Sequence, residues 1–188
     1  TDERTTENQG IGGLAAEVMG GCVVSVDACT LSGSITSKSD SNAKVGGLIA
    51  VSRGETQNGT SNSYTSADTT IKISNLKVKK ENINTNGANN TSGGLLGYQW
   101  KNTNVVFATS ADSTASKSGV TISGATLNAN AQFGGLVYQA TGYWNATAAN
   151  SIVFKTENGA TTFTGKSTKN TPSGCVKNFE KSIRAGRR

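Results

Sequence analysis

The chain has 188 residues, of which 25 are Thr, 21 Ser, 19 Asn and 23 Gly, nearly half of the total, with one Pro and no His. That composition excludes a helical bundle, because these types are poor helix formers. It also lacks the ~18-residue apolar run of a membrane-spanning helix and the charged or Pro-rich bias of a disordered chain.

The net charge of +6 is carried by the stretch from Lys155 to Arg188, where eight basic residues meet only Glu157 and Glu180. The rest of the chain is neutral overall. A basic tail on a neutral body points to a local contact or a processing site rather than a nucleic-acid-binding surface.

In chain order, residues 1–10 read as a flexible N-terminal segment, 11–176 as a single repeat β domain and 177–188 as a basic C-terminal tail. The chain starts at Thr1 without a methionine and is expected to be a mature chain or a fragment, with Arg187 and Arg188 as a candidate processing end. Ile11-Gly12-Gly13-Leu14 opens the repeat domain and returns as Val45-Gly46-Gly47-Leu48, Ser92-Gly93-Gly94-Leu95 and Phe133-Gly134-Gly135-Leu136. The spacings between Gly-Gly pairs are 34, 47 and 41 residues, and Pro172-Ser173-Gly174-Cys175-Val176 reads as a degenerate fifth copy. A second motif, apolar then Ser/Thr then Gly/Asn, interleaves with the first as Leu31-Ser32-Gly33, Ile73-Ser74-Asn75, Ile122-Ser123-Gly124 and Phe163-Thr164-Gly165.

Each unit is too small to bury its own apolar face, so neighbouring units must stack. The paired glycines are expected to take positive φ at a corner and to let coils approach closely, with the following Leu pointing inward. Coils of roughly 20 residues would place two coils in each unit. The segments from Arg53 to Asp68 and from Lys80 to Thr91 are expected to bulge from the stack. Strands are expected over Cys22–Val26, Val45–Ser52, Thr69–Lys79, Leu95–Tyr98, Asn104–Ala108, Gly119–Leu127, Phe133–Tyr138 and Ser151–Lys155. The cluster Lys77, Lys79 and Lys80 reads as a solvated strand edge blunted by lysine.

The Gly-Gly-Leu copies, each followed by an apolar strand and interleaved with Ser/Thr-Gly turns, resemble the GLUG-type repeats of bacterial cell-surface adhesins and lipoproteins. The resemblance spans about Ile11 to Val176. It implies an all-β fold, a right-handed parallel β-helix (β-solenoid), displayed outside the cell. A β-sandwich of about ten short strands is the alternative.

Without histidine, Ser-His-Asp and Cys-His arrangements are excluded. The acids are scattered as loop caps, so no catalytic residue, metal ligand or cofactor is expected. Cys22 and Cys29 form a candidate disulfide in an oxidising compartment, with buried free thiols as the other reading. Tyr98, Trp100, Tyr138, Tyr143 and Trp144 are the candidate glycan contacts, because ring faces pack on sugar CH groups while neighbouring amides bond hydroxyls. Tyr98-Gln99 and Tyr138-Gln139 are expected at equivalent places in the stack. The functional expectation is a non-enzymatic extracellular segment of an adhesin or fibre. Its partners would be copies of itself, neighbouring surface-protein segments and glycans, with no nucleic acid and no membrane insertion. The alternatives are a self-assembling filament subunit and, from another class, a polysaccharide-active β-helix enzyme.

Overall fold

Alternating buried and exposed positions, punctuated by Gly and Asn, set short strands separated by corners. The computed structural model describes residues 10–38, 43–59, 63–85, 87, 90–107, 119–129, 132–134, 136–140, 143–145 and 152–165. The first repeat supplies β1 (Gly10–Gly12), β2 (Ala15–Val18), β3 (Val23–Asp27) and β4 (Thr30–Ser37). The second supplies β5 (Lys44–Gly46), β6 (Ile49–Ser52), β7 (Glu55–Gln57), β8 (Tyr64–Ser66), β9 (Thr69–Ser74) and β10 (Leu76–Thr85). The third supplies β11 (Thr91–Gly93), β12 (Leu96–Gln99), β13 (Thr103–Phe107), β14 (Val120–Ser123) and β15 (Thr126–Ala129). The fourth supplies β16 (Gln132–Gly134), β17 (Val137–Ala140), β18 (Tyr143–Asn145), β19 (Ile152–Lys155) and β20 (Thr162–Gly165).

The described residues are all-β, and every sheet but one is parallel. The first sheet runs β1-β5-β11-β16, the second β2-β6-β12-β17 and the third β3-β9-β13-β18. In the fourth, β10 pairs with β4 on one side and with β14 and β15 on the other, and these pair with β19 and β20. Each repeat therefore adds one strand position to each sheet, in chain order. This overturns the expectation of two coils per repeat, since each repeat passes through the four sheets once. An antiparallel sandwich requires the opposite pairing. Among the described residues, only β7 and β8 are antiparallel, and they lie in the Arg53–Asp68 insertion, outside the four sheets as expected. The second expected bulge is different, since residues 80–85 continue β10 inside the fourth sheet.

The Gly-Gly corners work by close approach. A Cβ on Gly46 would stand 1.9 Å from the Ile49 carbonyl oxygen, and one on Gly47 would stand 2.1 Å from that of Gly94. Gly12, Gly93 and Gly13 repeat those two contacts on Ala15, Leu96 and Gly47. The expected positive φ is instead found at the second motif, at Gly33, Asn75 and Gly124, and also at Ala28 and Lys80. The Leu after each pair holds the stack together through its backbone. Leu48 donates to the Leu95 carbonyl at 2.9 Å, and Leu95 donates to that of Leu136 at 2.8 Å.

The second motif does not occupy one place in the stack. Leu31 and Ile122 both align with Val78 in the fourth sheet, whereas Ile73 lies in the third and Phe163 aligns with Leu127. The main core joins columns such as Val26-Ile73-Phe107 and Leu48-Leu95-Leu136. A smaller core of Val45, Ile83 and Leu127 lies between the first and fourth sheets. Leu14 departs from the expected inward direction: it is 58% exposed, because it belongs to the terminal repeat.

Candidate functional site

Two tight corners bring the most complete polar and aromatic cluster together. Strand β12 carries Tyr98 to the half-buried surface, and Trp100 follows directly, 36% exposed. The Trp100 backbone N–H donates to the Ser52 carbonyl at 2.9 Å, and its own carbonyl accepts from Thr103 Oγ1 at 2.6 Å. The two rings lie 5.4 Å apart, centroid to centroid, and 51° from parallel. Lys44 Nζ stands 5.8 Å from the Tyr98 ring centre, and the Arg53 guanidinium stands 5.0 Å from that of Trp100. Arg53 also pairs with Glu17 and, at 3.8 Å, with Glu55. Burial pushes the Lys44 amine below its ordinary value, since desolvation disfavours the charged form. The result is an aromatic pair with a cation over each ring.

Gln99 does not serve this surface. Its amide is buried and donates to the Thr103 carbonyl at 2.9 Å. Tyr138 is not equivalent to Tyr98, because Tyr98 pairs with Gln139 in the second sheet. Tyr143 and Trp144 belong to the third sheet, paired with Asn104 and Val105. Four of the five aromatic candidates are therefore divided between two sheets, with Trp100 just past the end of β12, and Tyr98 and Trp100 are the pair whose rings lie together.

Cys22 and Cys29 are exposed free thiols. Their bridge is excluded by the five residues of β3 between them, which rise roughly 16 Å, against Cα separations of about 4.4–6.8 Å in a disulfide. Cys175, Arg187 and Arg188 lie outside the described residues, as do residues 1–9 and the whole expected tail.

Sequence reasoning passed over Lys44, Glu17 and Arg53. Counting from the first Gly of each pair would have found Arg53, since Arg53 and Trp100 sit at the same offset from Gly46 and Gly93. It also passed over Glu81. The positive φ at Lys80 breaks the alternation of β10 and turns Glu81 inward, where it is 2% exposed. Its Oε1 has no hydrogen-bond partner. The carboxylate lies beside Gly47, where a Cβ would come within 2.6 and 2.7 Å of its oxygens. Desolvation raises its pKa to about 8.

Among the described residues, no group of three His, Cys, Asp or Glu side chains gathers as a metal site. No family model matches the chain, and no curated protein or solved structure matches it either.

Proposed function

We propose that the chain is a right-handed parallel β-solenoid segment of an extracellular surface protein, acting in display and adhesive contact rather than catalysis. The observation that carries this reading is that successive repeats contribute, in chain order, to each of four parallel sheets, one strand each to the first three and one or two to the fourth. Such a stack holds surface groups at fixed intervals, because each repeat contacts mainly its neighbours. The Gly-Gly-Leu resemblance to bacterial surface repeats supports the location. Tyr98 and Trp100 are the proposed glycan contact. A glycan array probed with the protein and with Trp100→Ala tests it: the parent binds a defined set of glycans and the variant loses them. Equal signals from both proteins would remove the aromatic pair from the reading.

End-to-end assembly is a second reading, favoured by the first repeat. Its strands β1, β2 and β3 are the outer strands of their sheets, and Leu14 and Val23 stand 58% and 66% exposed beside them. Open strand edges are templates for pairing. Electron microscopy across a concentration series should show filaments that Leu14→Ser/Val23→Ser prevents. Dispersed particles at every concentration would reject assembly.

A further inference from the structure

The outer face of the fourth sheet carries a second surface feature, remote in sequence from the aromatic pair. Strand alternation sends Lys77 and Lys79 outward while Leu76 and Val78 enter the core. The register aligns Lys79 with Ser123 on β14, and Ser123 in turn with Lys155 on β19. Strand spacing places the backbones of Lys79 and Lys155 about 10 Å apart, and Lys77 lies about 7 Å along the strand from Lys79. A groove of about 320 Å³ runs between these side chains.

Lysines of this kind often protect an edge, but β10 is paired on both sides, so that explanation does not apply here. Glu157 is, among the described residues, the one acid lining the groove, and it pairs with Lys155 at 3.1 Å. Among the described residues, no carboxylate pairs with Lys77 or Lys79. Ser123 Oγ accepts from the Asn158 N–H at 3.0 Å and from its Nδ2 at 3.2 Å, which leaves the serine O–H to donate.

We propose that this groove binds an anionic polysaccharide, with Lys77, Lys79 and Lys155 meeting its carboxylate or sulfate groups and Asn158, held by the buried Ser123, meeting its hydroxyls. Among the described residues, no aromatic ring on which bases would stack lines the groove, so a sugar chain fits it better than a single-stranded nucleic acid.

Calorimetric titration of the full chain at low salt tests the proposal. The probes are oligogalacturonate, a sulfated dextran oligomer, neutral maltodextrin and single-stranded DNA. At least one charged oligosaccharide should bind, and which one does separates carboxylate from sulfate recognition. Lys77→Gln/Lys79→Gln/Lys155→Gln should weaken that binding roughly tenfold or more, and added salt should weaken it in the parent. Lys72→Gln/Lys101→Gln, outside the groove, should bind as the parent does. Matching urea midpoints would show that the triple variant is folded. The proposal is overturned if neither charged oligosaccharide binds, if the triple variant binds as well as the parent, or if maltodextrin or DNA binds as tightly.

Discussion

Replacing Glu81 with Gln keeps the shape of a buried side chain and removes its proton equilibrium. Glu81 is 2% exposed, with Oε1 unpartnered and no ion pair to it among the described residues. Its carboxyl titrates near 8 in the folded chain, against an ordinary value of 4.5. Below pH 4.5 both folded and unfolded chains hold the proton, so the residue carries no ionisation penalty. As pH rises from there, the unfolded chain ionises first and stability falls. The loss is complete once pH passes the folded value. Each pH unit within that window costs about 1.4 kcal/mol, so the full interval amounts to roughly 4–5 kcal/mol. Glu81→Gln has no such slope. Urea unfolding at about pH 5 and about pH 8 should therefore show the parent losing roughly 3–4 kcal/mol more than the variant. The comparison across pH is the decisive one, because an unpartnered buried amide itself costs about 1–3 kcal/mol. Parallel pH profiles for the two proteins would refute the placement of Glu81 in the core.

Two paired substitutions test the stack. Leu95→Ala should cost about 2–5 kcal/mol in urea unfolding, since Leu95 is fully buried. Leu14→Ala, at the same motif position in the terminal repeat, should stay within about 0.5 kcal/mol; equal losses would deny the difference in burial. Gly47→Ala drives a Cβ against the Gly94 carbonyl and the Glu81 carboxylate and should cost several kcal/mol or prevent folding. Gly59→Ala meets no atom within 4 Å but holds φ at +60°, so about 1–2 kcal/mol is expected; a larger loss there than at Gly47 would contradict the close-approach account.

Strand type and corner position were legible in the amino-acid order because both are local. Val24, Val26, Ile71 and Ile73 alternate with outward residues, and that period of two defines strands wherever they later pair. The Gly-Gly pairs marked corners correctly, although their reason is the approach of carbonyl oxygens and not positive φ. What pairs with what is a property of the stack. Ser/Thr-Gly triplets of similar composition fell in different sheets because unequal loops shift where each repeat meets the next, whereas Tyr98 lies beside Gln139 because both stand five residues after the first Gly of their pair. The inward turn of Glu81 depends on one positive φ at Lys80, and the place of Lys77 and Lys79 in mid-sheet depends on strands from the first and third repeats. Local order thus determined strand character and the Gly-Gly corners, but not the strand limits, since the expected Val45–Ser52 is divided into β5 and β6 and β10 runs on to Thr85. Register, burial and the gathering of charge came only from neighbours distant in the chain, since those are set by contacts that no single repeat contains.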